Sequence, residues 1–308
     1  MNKVHVIVNP FSARGKTAQR WQDIKEIVRS TFKEFRYIFT EKPKQATEIA
    51  RDSLQEGYDL IIGVGGDGTL NEITNGFFRE NSSQTINDAA SLGIIPSGTG
   101  SDFIRFMKIP RDFRQSIQLI KDANMRPIDV GKITFRGQTV GPAYTYFINI
   151  ADFGLGAEVI KNLAEIPSVR RGPILYYKGL LQTLTRYHSK PVRLILDDQE
   201  TIEDSFVIGA IANGRIFGGG MIVAPHAEPD DGFFDVVLIE KMRRLEILFQ
   251  SPRLYTGSIE KIKKVAVRRA RKIEVHSDVP VHIEYDGELG GKLPASFEIL
   301  RRTLNFRI

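Results

Sequence analysis

The apolar positions of the first 128 residues alternate between two periods. Residues 3–8, 35–39, 59–64 and 92–95 form short runs rich in Val, Ile, Leu and Phe. Between them, Trp21, Ile24, Val28, Phe32 and Phe35 recur every three or four residues. The same spacing returns in Ala46, Ile49, Ala50 and Leu54, and again in Leu70, Ile73 and Phe77. Compact apolar runs mark strands, and the 3.6-residue period marks amphipathic helices. Strands alternating with helices predict a parallel sheet covered on both faces. Ligands of such sheets bind beyond the carboxyl ends of the strands.

From about residue 129 the pattern changes. Candidate strands at 144–150, 192–196, 206–212, 233–239, 263–267, 272–276 and 281–285 are separated by turn-rich segments. A single helical pattern, 175–187, interrupts them. Short strands with turns between them predict an antiparallel sandwich. The expected organisation is therefore an α/β domain, residues 1–128, followed by a β domain, residues 129–294. The tail from about 295 to 308 is expected to return to the first domain, because chain termini often lie close together.

Composition changes this picture little. The chain has 308 residues, 42% hydrophobic and 26% charged, which is ordinary for a globular protein. With no cysteine, disulfides, thiolate metal sites and thiol nucleophiles are excluded, and a reducing compartment is expected. The opening residues are too short an apolar run for a signal peptide, and no run approaches the length of a membrane span. Charge is more informative. The formal net charge is +6, yet residues 241–272 hold eleven Lys/Arg against Glu246 and Glu260. Such a stretch suits a phosphate-rich partner, while a basic sheet edge that repels other strands is the bland alternative. Phe249, Leu254 and Tyr255 lie among these charges and are read as core residues, with an interface role as the alternative.

The candidate chemistry lies in three loops of the first half. Gly65-Gly66-Asp67-Gly68-Thr69 follows an apolar strand and opens a helix. Glycines let bare N–H groups approach a ligand, and a helix N-terminus favours phosphate. Alone, this loop is equally an ordinary turn with Asp67 as helix N-cap. A second loop, Pro96-Ser97-Gly98-Thr99-Gly100-Ser101-Asp102, repeats the chemistry after another strand. A third, Asn9-Pro10-Phe11-Ser12-Ala13-Arg14-Gly15-Lys16-Thr17, ends like a Walker A loop, but Pro10 stands where that motif needs glycine. Three such loops at parallel strand ends predict a nucleotide or polyphosphate site.

Gly-Gly-Asp-Gly-Thr-Leu-Asn-Glu at 65–72, with Pro-Ser-Gly-Thr-Gly-Ser-Asp-Phe at 96–103, resembles the diacylglycerol kinase catalytic family. That family also includes sphingosine and ceramide kinases, and the chain looks closest to its small bacterial members. The resemblance runs from Asn9-Pro10 to Asp286-Gly287-Glu288. NAD kinases and phosphofructokinases share mainly the Gly-Gly-Asp-Gly loop and the first-domain fold. The resemblance implies a Rossmann-like nucleotide domain joined to a β-sandwich, and transfer of the γ-phosphate of ATP, with Mg2+, to a lipid hydroxyl, diacylglycerol leading. By the same resemblance Asn9, Pro10, Phe11, Ser12 and Ala13 would line the nucleotide site, and Thr40 would contact the nucleoside end. Gly65, Gly66, Asp67, Gly68, Thr69, Leu70 and Asn71, with Thr99, would hold the phosphates. One departure is Ala13, where bacterial relatives often have glycine.

The second domain offers two acidic turns. Asp286-Gly287 after an alternating strand is a hairpin signal in its own right. The resemblance implies a general base in this segment, with Glu288 and Asp286 as joint candidates. Glu228-Pro229-Asp230-Asp231-Gly232-Phe233 clusters carboxylates suited to a hard cation, though Asp231-Gly232 is also a hairpin signal. The resemblance implies magnesium on Asp231, flanked by Glu228 and the Phe233 carbonyl. A cytoplasmic protein visiting the inner membrane surface is expected, with no nucleic-acid partner and a homodimer possible. The rival readings are a kinase of NAD or another soluble alcohol, and a nucleotide-responsive nucleic-acid-binding protein without enzymatic activity.

Overall fold

The computed structural model describes residues 3–80, 82–98, 101–137, 143–164 and 173–308, without the side chains of 164, 173–178 and 181. By contact the chain divides into two units, residues 1–130 with 301–308, and residues 131–300.

The first unit runs β1 (Val4–Val8), α1 (Lys16–Thr31), β2 (Phe35–Phe39), α2 (Gln45–Gln55), β3 (Leu60–Gly65), α3 (Asp67–Gly76), β4 (Ser91–Pro96), α4 (Asp102–Phe106) and α5 (Phe113–Asp122). Its strands are parallel: β1 pairs with β2 and β3, and β3 with β4. Every residue of β3 is buried, as expected for a strand covered on both faces. On one face Val4, Val6, Val8, Leu60, Ile62 and Val64 pack with Trp21, Ile24 and Val28 of α1 and with Ile117 and Ile120 of α5. On α2 and α3 a close approach decides a residue. A Cβ on Gly76 would stand 2.5 Å from the Thr47 carbonyl oxygen. Helix α5 lies where the apolar pattern marks no element. Asp112 caps it, its carboxylate accepting from the N–H groups of Arg114 and Gln115 at 3.0 Å.

Strand β5 (Met125–Phe135) begins in the first unit and ends in the second, and the last strand, β17, does the reverse. Within the first unit, Asn305 and Phe306 of β17 pair in parallel with Ser91 and Leu92 of β4.

The second unit is antiparallel. It contains β6 (Tyr144–Phe147), β7 (Ile150–Gly154), α6 (Leu155–Ala164), α7 (Pro173–Arg186), β8 (Lys190–Leu196), β9 (Glu200–Ala212), β10 (Ile216–Phe217), β11 (Met221–Ile222) and β12 (Phe234–Glu240). Then come α8 (Arg244–Gln250), α9 (Pro252–Thr256), β13 (Val265–Ala270), β14 (Lys272–His276), β15 (His282–Tyr285), β16 (Glu288–Lys292) and β17 (Ala295–Arg307). The segment 144–150, expected as one strand, is two, broken at Ile148-Asn149. The long strand β9 organises the unit. It pairs with β8 through its first half and with β7 through its second, while β12 pairs along its other edge. Alternation along β12 divides two cores. Phe234, Val236 and Leu238 point into one, and Val237 and Ile239 into the other, which contains Leu155, Val159 and Leu163 of α6. In the first core the rings of Phe147 and Phe234 stack at 5.6 Å.

Strand β13 pairs only with β12 among the described strands, and its exposed Arg268 and Arg269 lie on that edge. The bland reading of the basic stretch therefore holds for its second half. Its first half differs, since Phe249 is 79% exposed and Tyr255 49%. Neither is the core residue expected, and of the three only Leu254 packs against the core. No helix among the described residues is long and apolar enough to cross a membrane.

Candidate active site

In the first unit the ladder continues one residue past three strand ends. Asn9 donates its N–H to the Val64 carbonyl at 3.0 Å, Thr40 to Val8 at 2.9 Å, and Ser97 to Gly65 at 2.8 Å. The loops after β1, β2, β3 and β4 are thereby held side by side.

Their side chains then cross-link. The Asn9 amide donates to the Thr69 hydroxyl at 3.0 Å, while its carbonyl oxygen accepts from the Phe11 N–H at 3.1 Å. Thr17, fully buried at the start of α1, shares hydrogen bonds with the hydroxyls of both Ser12 and Ser97. The Asp67 carboxylate accepts from the backbone N–H of Asp102 at 2.6 Å, tying the first turn of α3 to the loop before α4. These bonds bring together Asn9, Ser12, Asp67 and Thr69 of the expected nucleotide set. Thr40 is nearby and buried, and Pro10 is half-buried in the same loop. Phe11 is held through its backbone, and its side chain is exposed (68% for the residue), available to contact a base. Leu70 is completely buried and Asn71 nearly so, which leaves Leu70 only its backbone for a ligand. Thr99 lies outside the described residues.

Helix α3 starts directly after β3. Its N-cap is Gly66, and no side chain caps it. Asp67 is therefore not the capping residue of the bland reading, because its carboxylate reaches the neighbouring loop instead. The uncapped first turn leaves N–H donors and the positive end of the helix dipole for phosphate oxygens. Gly65 is required by space: a Cβ there would stand 2.3 Å from the Thr69 hydroxyl and 2.6 Å from its Cβ. Gly65→Ala is expected to weaken ATP binding at least tenfold by pushing Thr69 away from Asn9, measurable by titration calorimetry. The loop after β1 is strained. Ala13, Arg14 and Gly15 all adopt positive φ, at 52°, 60° and 82°. For Ala13 this left-handed conformation costs about 1–2 kcal/mol.

In the second unit the Asp286-Gly287 turn is a two-residue hairpin with φ of 48° and 86°, joining β15 to β16. The two joint candidates for the base separate here. The Asp286 carboxylate accepts three backbone N–H groups, from Ile148 at 2.9 Å, Asn149 at 3.0 Å and Ile150 at 3.2 Å. It pins the break between β6 and β7. Glu288 is exposed at the start of β16. Asn149 and Asn213 brace the same place, donating to the Ile216 and Ile148 carbonyls at 2.8 and 2.7 Å.

The sequence reading passed over a buried acid pair. Asp152 on β7 and Glu284 on β15 are directly opposed in register, 1% and 3% exposed. The Ala157 N–H donates to Asp152 and the Gly287 N–H to Glu284, at 3.0 Å each. Burial pushes Asp152 up to about 6, and burial together with the neighbouring Asp152 charge pushes Glu284 well above the usual carboxylate value. The only signal in the sequence is an acid flanked by apolar residues in each of two strands.

The linkage follows directly. Both carboxyls bind protons more tightly in the folded chain, so their contribution to stability falls as pH rises from about 4 through the folded values. Glu284→Gln keeps a donor for Asp152 and removes one ionisation. Melting curves from pH 5 to 8 should therefore slope less steeply for Glu284→Gln than for the parent chain. An unchanged slope would show that Glu284 does not bind its proton more tightly in the folded chain.

The acidic turn expected to hold magnesium is arranged otherwise. Asp231 pairs with the Arg269 guanidinium, and its other oxygen accepts the Phe233 N–H at 3.0 Å. Glu228 pairs with Arg215, whose Nε also donates to the Ala227 carbonyl at 2.8 Å. The Phe233 ring lies between Arg269 and Arg271, 4.6 and 4.4 Å from their guanidinium carbons. Among the described residues no cluster of three His, Cys, Asp or Glu side chains could hold a metal ion. Two of the turn's three carboxylates, Glu228 and Asp231, each face an arginine, so those two do not present the oxygen-rich shell that Mg2+ demands.

Comparison with known proteins agrees with this architecture. Residues 3–133 match the diacylglycerol kinase catalytic domain, and residues 149–307 match the YegS C-terminal NAD kinase beta sandwich-like domain. A diacylglycerol kinase of Staphylococcus saprophyticus is 31% identical over 304 residues, spanning 97% of this chain and 93% of that protein. One from Staphylococcus aureus strain MRSA252 is 29% identical over 306 residues, 98% of this chain and 91% of that protein. A Bacillus anthracis Sterne structure assigned as a diacylglycerol kinase superposes with a TM-score of 0.80 at 25% identity, covering 99% of this chain and 95% of the other. Yeast NADH kinase shares the fold, with a TM-score of 0.51 at 12% identity over 99% of this chain and 82% of the other. The first unit is thus the NAD kinase-like nucleotide fold, the second a β-sandwich, and the chain belongs to the diacylglycerol kinase catalytic domain family.

Proposed function

We propose that this chain transfers the γ-phosphate of ATP to the hydroxyl of a lipid alcohol, with diacylglycerol giving phosphatidic acid as the leading reaction. The observation that carries the nucleotide half is the uncapped N-terminus of α3, flanked by the cross-linked Asn9, Thr69 and Asp67. Phosphoryl transfer is mostly positioning and charge stabilisation, which backbone donors at a helix start supply. Mg2+ carried on the β- and γ-phosphates would neutralise their charge. The acceptor half is supported by end-to-end likeness to bacterial diacylglycerol kinases.

In this reading Glu288 accepts the proton of the acceptor hydroxyl. Asp286, with its oxygens committed to three backbone donors, holds the hairpin that presents Glu288. An exposed carboxylate can reach a substrate, while a saturated one cannot take a proton without releasing the backbone. The enzyme would work in the cytoplasm at the inner face of the membrane.

A panel test decides the acceptor. The purified chain is incubated with γ-labelled ATP, Mg2+ and mixed micelles of diacylglycerol, monoacylglycerol, phosphatidylglycerol or sphingosine, with NAD in a parallel tube. Label in phosphatidic acid is the expected result. Label in NADP instead would overturn the lipid reading and leave the phosphate loops standing.

A further inference from the structure

The basic stretch divides into two halves with different partners. Its second half is neutralised locally: Arg268 pairs with Glu200, Arg269 with Asp231, and Lys272 with Asp198. Its first half is not. Lys241, Arg243, Arg244, Arg253, Lys261 and Lys263 make no ion pair among the described residues. All but Arg253 are exposed, and Arg253 is half-exposed.

The same segment exposes its apolar side chains. On α8, Leu245, Leu248 and Phe249 are 68%, 41% and 79% exposed, at the i, i+3 and i+4 spacing that places them on one face. Ile247, on the other face, packs with Met242 and Leu254 against the core. The helix is therefore apolar on both sides, and among the described residues only one side is covered. Tyr255, 49% exposed, continues the exposed surface onto α9. Contiguous exposed apolar residues of this kind mark an interaction surface, not ordinary surface scatter.

We infer that α8 and α9 form the membrane-docking surface of this chain, Leu245, Leu248, Phe249 and Tyr255 entering an anionic bilayer while the surrounding cations meet its headgroups. The inference deepens the lipid-kinase reading and rests on it for its purpose, though not for its physics. Charge selects the occupant. Apolar side chains ringed by unpaired cations match an anionic lipid surface, where each cation adds about fivefold to affinity. A second copy of the chain docking here by two-fold symmetry would set these cations against one another.

The test is sedimentation with vesicles of 30% phosphatidylglycerol in phosphatidylcholine, and with phosphatidylcholine alone. The parent chain should bind the anionic vesicles and release them at high salt. Leu245→Ser/Phe249→Ser and Arg243→Glu/Arg244→Glu should each bind at least tenfold more weakly, with unchanged melting temperatures. Turnover of a short-chain, water-soluble diacylglycerol should stay at the parent level in both variants. Parent-level vesicle binding by both variants would overturn the proposal. So would a parent dimer, seen in sedimentation velocity, that the same variants split while no form binds vesicles. Vesicle binding lost in the variants, with no lipid phosphorylated by the parent, would sustain the docking surface and sink the kinase reading instead.

Discussion

Glu288→Gln is expected to lower turnover by about 10²–10⁴, with the apparent affinity for ATP unchanged. Gln keeps the size and polarity of the side chain and removes only its ability to take a proton. Because Glu288 is exposed at the start of β16, its replacement should move stability by less than about 0.5 kcal/mol. Asp286→Asn should behave in the opposite way. Its carboxylate satisfies the N–H groups of Ile148, Asn149 and Ile150, and an amide cannot accept from all three. Leaving a buried backbone donor unmet, and weakening the others, should cost about 2–4 kcal/mol. Denaturant titration beside steady-state kinetics separates the two. A fully active Glu288→Gln with a stable but inactive Asp286→Asn would reverse the roles assigned here.

Asp67→Ala should reduce ATP-dependent turnover about 100-fold or more while the chain stays folded. Two contributions meet at this carboxylate. One is the 2.6 Å bond to the Asp102 N–H, which fixes the loop after β4 against α3. The other is negative charge at a helix start, which suits a cation carried on the nucleotide phosphates. Asp67→Asn distinguishes them, since its amide oxygen can keep the tether without the charge. Loss of activity in both variants assigns the role to charge. Rescue in Asp67→Asn assigns it to the tether, and titration calorimetry with ATP, with and without Mg2+, reads each case. Full activity in Asp67→Ala would remove Asp67 from the site.

The nucleotide half was largely legible in the sequence because its signals are local. An apolar run, a glycine turn and the start of a helix lie within a dozen residues in the loop at 65–69, and the structure places that loop at a parallel strand end. The hairpin at Asp286-Gly287 was legible for the same reason. What escaped depends on contacts distant in sequence. Asp152 and Glu284 become a pair only because β7 and β15 lie side by side. Nothing near Asp286 announces that its carboxylate will serve Ile148, Asn149 and Ile150. Helix α5 went unread although Phe113, Ile117 and Ile120 recur at helical spacing on its packed face, because its cap, Asp112, lies in a charged stretch. The 241–263 segment failed differently. An apolar residue among charges reads the same whether it faces the core or solvent, and only burial tells Leu254 from Phe249.

The most direct test of the central claim is phosphorus NMR of the product formed from ATP, Mg2+ and dioleoylglycerol micelles, with Asp67→Ala run in parallel. The account predicts a new lipid-soluble phosphomonoester appearing in step with ADP, and absent with the variant. ADP formed alongside inorganic phosphate alone, with no lipid phosphomonoester, would contradict it.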